Sequence, residues 1–138
     1  MNHAGHRPIP LELACLDGLV ITVADLDRSM RFYQRVLGMQ LLHCGSSRAT
    51  LGFGRQRLTL TCAGADNGSR PAVPVPGSQH LRLLSDLPMV DVVTHLLSFD
   101  VAIEETPSRR HTGRERVEAL SFRDPDGNLI EILSPAPE

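Results

Sequence analysis

Leu16-Asp17-Gly18-Leu19-Val20-Ile21-Thr22-Val23-Ala24-Asp25-Leu26-Asp27-Arg28-Ser29-Met30-Arg31-Phe32-Tyr33 changes its periodicity once, and that change sets how the rest of the chain is read. Residues 16–23 are aliphatic and β-branched, which is the composition of a strand. Asp25 then offers a carboxylate that can accept from the free backbone N–H groups of a first helical turn. Leu26, Met30, Tyr33 and Leu37 recur at helical spacing, and Gly38 follows them where a left-handed cap favours glycine. Three short strands are expected next, over 39–43, 48–53 and 57–62. Gly45-Ser46-Ser47 and Gly54-Arg55-Gln56 supply the turns between them.

Outward from this unit the regularity stops and then returns. Residues 63–78 carry Gly64, Gly68 and Gly77 with Pro71, Pro74 and Pro76, the composition of a linker or flap. A strand is read over 79–84. Pro88 opens a helix whose apolar face is marked by Val90, Val93, Leu96 and Leu97. A short strand at 101–104 follows, then strands at 117–122 and 128–133 joined through the turn Asp124-Pro125-Asp126-Gly127. The order βαβββ therefore occurs twice, in module one (12–62) and module two (79–134), within a single α+β domain over 12–136. Residues 1–11, with His3, His6, Pro8 and Pro10, read as a flexible lead-in. Neither module is long enough to bury its own sheet, so modules or chains must pair to form a curved mixed sheet around a cavity.

Composition narrows the function classes. With 138 residues, 41% apolar and 22% charged, the chain suits one globular domain. A net charge of −2 gives no electrostatic footprint for nucleic acid or an anionic membrane. The longest apolar stretch, Leu19 to Ala24, is interrupted by Thr22 and is far short of the ~20 residues of a membrane span. Met1 to Pro10 lacks the apolar region of a secretory signal. Cys15, Cys44 and Cys62 are odd in number and widely spaced, as expected of reduced thiols in a cytoplasmic protein. No G-x-S-x-G elbow, P-loop or dinucleotide glycine pattern follows any expected strand.

Two stretches carry a family resemblance. One is the opening stretch with Val36-Leu37-Gly38-Met39 behind it. The other is Phe122-Arg123-Asp124-Pro125-Asp126-Gly127-Asn128-Leu129-Ile130-Glu131-Ile132. Together with Pro74-Val75-Pro76-Gly77-Ser78 they resemble the vicinal oxygen chelate superfamily of glyoxalases, bleomycin resistance proteins and extradiol dioxygenases. Within it, the chain is most similar to small glyoxalase-domain-containing and virulence-associated members. The resemblance implies the glyoxalase/dioxygenase fold, a homodimer, a small oxygenated metabolite as ligand or substrate, and a divalent metal such as Zn, Ni, Mn or Fe. The superfamily spans lyases, isomerases, dioxygenases and metal-free binders, so it does not fix a reaction. In metal-dependent members each module gives one ligand from its first strand and one from its last. By this resemblance the four positions fall at Gly18, Thr61, His80 and Glu131. The second module keeps both ligand types and the first keeps neither.

Two readings of the surviving pair stand. Glu131 alternates with Leu129 and Leu133, and a carboxylate in that setting needs a partner. In the first reading His80 and Glu131 hold a divalent metal, with Glu131 catalytic and substrate oxygens completing the shell. In the second, Glu131 is an ion-paired remnant facing His80 or Arg82, and the protein is a metal-free small-molecule binder. Thr61 offers only a hydroxyl, Cys62 lies on the opposite strand face, and His43 is either a replacement imidazole or, on the more general expectation, a surface or edge-strand histidine. His95, on the second helix near Asp91, reads as solvent-facing. Gly18 either enlarges the cavity floor or marks close backbone approach. Ser108-Arg109-Arg110-His111-Thr112-Gly113-Arg114-Glu115-Arg116 reads as a connection near the cavity mouth. It is a flap for an anionic ligand, with His111 where relatives carry Arg, or a solvated loop balanced by Glu104, Glu105, Glu115 and Glu118. Arg82, Thr61, Gly18 and His111 are the candidate ligand-binding positions.

Overall fold

The structure, a computed structural model, describes residues 5, 7–65, 68–112 and 115–137, without the side chains of 110–112 and 115. His3, His6, Gly113 and Arg114 lie outside the described residues. β1 (Gly18–Val23), α1 (Leu26–Arg35), β2 (Gln40–Cys44), β3 (Arg48–Phe53) and β4 (Gln56–Cys62) form the first module. β5 (His80–Leu84), α2 (Met89–Ser98), β6 (Glu105–Thr112), β7 (Glu115–Arg123) and β8 (Leu129–Pro135) repeat its order. Each module is a four-stranded sheet, β1-β4-β3-β2 and β5-β8-β7-β6. The pairs β1–β4 and β5–β8 are parallel and the others antiparallel. The α+β class read from the sequence is the one found.

Local signals place the first module well. Asp25 accepts from the Arg28 N–H at 3.0 Å and caps α1. Gly38 takes φ +66° just past the helix end, as its role requires. The second module departs from the reading in two places. No strand forms at 101–104. Asp100 turns left-handed (φ 58°) and the Val101 N–H closes back on Leu96 O at 3.1 Å, so this stretch ends α2 instead. The basic segment expected as a loop is largely strand: β6 and β7 pair across it, with Ser108 opposite Ala119 and Arg109 opposite Glu118. On α2, the core takes Met89, Val92 and Leu96, whereas Val90 and Leu97 stand 70% and 58% exposed.

One core serves both modules. Tyr33, Leu51 and Leu60 of the first belong to the same cluster as Leu96, Phe122 and Ile130 of the second. The helix-bearing faces of both sheets therefore meet, and the opposite faces look away from the core. The β7–β8 turn pins the modules together. Asp124, buried, accepts from Tyr33 OH at 2.6 Å, from both Asn128 nitrogens at 2.8 Å, and from the Asp126 N–H at 3.0 Å. The Asp126 carboxylate accepts from the Ala24 N–H at 3.2 Å and Ser29 Oγ at 3.3 Å, with Arg28 at 3.4 Å. Gly77 passes over the same turn at φ +83°, where a Cβ would lie 2.4 Å from Asp126 O. His95 is exposed, as read, and it also joins the helices: its Nε2 donates to Val36 O at the end of α1, at 2.7 Å, and its ring lies against Phe99.

Candidate functional site

Glu131 sits in the middle of β8, with Arg82 of β5 and Ser121 of β7 as its register partners on either side. Strand pleating puts it on the outward face with Leu129 and Leu133, and it is only 5% exposed. Leu133 joins Val117 and Ala119 in a small apolar cluster on that face, separate from the main core. Burial of a carboxylate here is made tolerable by two bases from β5. Both act on one oxygen: His80 Nε2 hydrogen-bonds Glu131 Oε1, and Arg82 Nε lies 3.5 Å from it. Their side chains are 50% and 48% exposed, so each keeps polar atoms free for solvent or a ligand. The contact through Nε2 holds the His80 ring in one orientation.

Arg82 connects this cluster to a cavity. A cleft of about 380 Å³ runs between the inner edges of the two sheets, lined by Leu16, Leu19, Phe53, Arg57, Leu81 and Arg82. Arg55 also lines it, and no carboxylate does. The cleft is thus mostly apolar in its walls and cationic at its charged groups, a composition suited to a small anion with an apolar body.

The first-module positions fall differently from the sequence reading. Gly18 pairs with Arg57 as His80 pairs with Leu129, so two residues onward Thr59 stands where Glu131 stands. Thr61 is one pleat further along. Thr59 and Thr50 share a hydroxyl hydrogen bond at 3.1 Å, whereas Thr61 Oγ1 is buried with no hydrogen-bond partner among the described residues. Gly18 does not open a cavity floor: a Cβ there would lie 2.8 Å from Arg57 O, so the glycine lets β1 approach β4. Cys62 is on the helix side, its thiol 4.0 Å from Ala24 O. His43 shares the outward face with Thr50 and Thr59 but is exposed on the outer strand β2. The His111 backbone pairs with Arg116, and its side chain lies outside the described residues.

The structure therefore brings together His80, Arg82 and Glu131, and adds Arg57, Arg55 and Ser121, which the sequence did not single out. Among the described residues no three His, Cys, Asp or Glu side chains are placed to hold a metal ion. Protein-held sites use three or four ligands, and here there are two, His80 and Glu131, which meet each other at a Glu131 oxygen that Arg82 also faces. That donor set does not fit a complete metal site within one chain. Among the described residues, no helix is long and apolar enough to cross a membrane.

Comparison with known proteins gives this geometry a family context. The sequence profile of the Glyoxalase/Bleomycin resistance protein/Dioxygenase superfamily matches residues 16–132. A virulence protein of Salmonella typhimurium is 33% identical over 132 residues, covering 96% of this chain and 92% of that protein. Its crystal structure superposes with a TM-score of 0.85 over 91% of this chain and all of the other. A glyoxalase domain-containing protein of Mycosarcoma maydis is 36% identical over 124 residues, 90% of this chain and 70% of that protein. An integron cassette protein from the mobile metagenome of V. cholerae is 34% identical, with a TM-score of 0.86 over 93% of this chain and all of the other.

Proposed function

The chain belongs to the glyoxalase/bleomycin resistance protein/dioxygenase superfamily, and within it we propose that this protein binds a small anionic, oxygenated metabolite. The site is the cleft beside Glu131. The observation that carries the reading is Arg82, which lines a cleft of about 380 Å³ while its Nε stays 3.5 Å from the buried Glu131. A guanidinium has five donors, and one carboxylate oxygen does not use them up. Its free edge and that of Arg57 receive the ligand's carboxylate or phosphate. His80, oriented by Glu131, meets the ligand's hydroxyl or carbonyl oxygens and is placed to exchange a proton with them. A second copy of the chain covers the outward face, as the family resemblance leads us to expect.

The family's description covers enzymes and resistance proteins alike, so binding is the step proposed and turnover is tested separately. Thermal-shift screening with matched anionic and cationic metabolite sets should show stabilisation by anions. That stabilisation should fall at least tenfold in affinity for Arg82→Ala, which removes a charged hydrogen bond. Preferential stabilisation by cations would overturn the reading.

A metal-dependent reading rests on His80 and Glu131 as two ligands, with substrate oxygens completing the shell. The shared guanidinium weighs against it. Metal analysis of untagged protein lacking His3 and His6, after exposure to Zn, Ni, Mn or Fe(II), separates the two readings. Stoichiometric metal that is lost in Glu131→Ala would establish the metal-dependent one.

A further inference from the structure

Residues 7–17 precede β1 with no helix or strand of their own. In an extended segment Arg7, Ile9, Leu11 and Leu13 share one side, and Pro8, Pro10, Glu12 and Ala14 share the other. Ile9, Leu11 and Leu13 are 88%, 83% and 85% exposed. Single exposed aliphatic residues need no explanation, but three within five residues make an unmatched apolar stripe. Pro8 and Pro10 fix the backbone in an extended form and remove two N–H donors. Such a segment docks through its side chains at low ordering cost, rather than as a strand in a ladder.

A groove of about 630 Å³ elsewhere on the molecule has the complementary character. It opens at the start of α2, with Met89, Val90, Val93 and Pro135 in its walls. Its charged lining residues are Asp86 and Glu118, and no cation lines it. Val90 belongs to the apolar face read from the sequence, yet the core leaves it 70% exposed. An aliphatic stripe headed by an arginine thus faces a need for cover, and an apolar groove edged by two carboxylates offers it.

We propose that residues 7–13 of one copy dock in this groove of a second copy, and reciprocally. Ile9, Leu11 and Leu13 lie against Met89, Val90 and Val93, while Arg7 reaches Asp86 and Glu118. In its own chain the stripe stands free, and fully extended it spans about 23 Å. Exchange about a two-fold axis satisfies both stripes and both grooves and closes the assembly at a dimer. The docking does not depend on what ligand occupies the Glu131 cleft.

Disulfide trapping tests the contact directly. Leu11→Cys in one tagged chain and Val90→Cys in a second, both with Cys15→Ser and Cys44→Ser, are mixed and oxidised. A disulfide between the two different chains is expected. No cross-link, pairing only between Leu11→Cys chains, or closure within a chain bearing both cysteines would overturn the proposal. In sedimentation, Leu11→Asp with Leu13→Asp should weaken the dimer by on the order of 100-fold, because two leucines lose their burial. Arg7→Glu should weaken it too, and Glu118→Arg in the same chain should restore it. Circular dichroism confirms that each variant is folded. A dimer unaffected by these changes would sink the docking while leaving the ligand-site reading intact.

Discussion

A carboxylate 5% exposed between two leucines has given up water and has His80 and Arg82 among its partners instead. Both bases are half in solvent and can return to it, so their pairing with Glu131 is worth less than a fully buried ion pair. Glu131→Leu would extend the apolar cluster of Val117, Ala119 and Leu133. Thermal unfolding is expected to place this variant within about 1 kcal/mol of the parent, or above it. Its binding of anionic ligands should fall, because His80 loses its orienting partner. A large loss of stability would instead make Glu131 a structural residue. The same residue also marks how far sequence can locate a site. Its pairing with His80 or Arg82 followed from alternation along two strands. Assignment of its first-module counterpart to Thr61 rather than Thr59 did not, because that needs the parallel register of β1 on β4. Gly18 likewise has two sequence readings, and only the 2.8 Å approach of Arg57 O decides between them.

Elements were legible where their signals are local. Asp25, Gly38 and the turn at Asp124–Gly127 act within a few residues of themselves, so β1, α1 and the ends of β7 and β8 could be read from sequence. β6 was missed because Ser108-Arg109-Arg110-His111 has no apolar alternation, and its conformation comes from pairing with β7. The second helix was found with Leu96 and Val93 on its inner face as read, but Val90 and Leu97 were taken for core where Met89 and Val92 are, since these residues are equally apolar and only packing separates them. Gly77 joins elements in a way that no local signal reports. It combines φ +83° with a backbone approach to the turn that carries Asp126, and Asp126 in turn holds the start of α1. Gly77→Ala therefore adds left-handed strain to a steric overlap with a backbone oxygen. A loss of about 3 kcal/mol is expected in urea unfolding. Less than about 1 kcal/mol would mean that the 63–78 connection can shift aside without disturbing the turn.

At the scale of the whole molecule, the two modules share one core, so they are expected to unfold as one unit. Tyr33 provides the measurement, because it is the chain's single tyrosine and there is no tryptophan. It belongs to α1, yet its hydroxyl donates to Asp124 of the second module at 2.6 Å. Burial first, then the charge of Asp124 and the hydrogen bond to it, raise its pKa far above the ordinary 10.0. The folded protein thus keeps the phenol protonated where an unfolded chain would ionise it. A group with its folded pKa raised contributes stability in full below the unfolded value and loses it as pH climbs beyond. Stability is therefore expected to hold up to about pH 10 and to fall progressively above it. Tyrosinate absorbance should stay silent through the ordinary tyrosine range and appear together with loss of far-ultraviolet circular dichroism. Coincident curves require that breaking the junction at Asp124 unfolds both sheets together. Tyrosinate appearing while the circular dichroism persists would show that α1 can leave the β7–β8 turn alone, and that each module's sheet survives without the shared core.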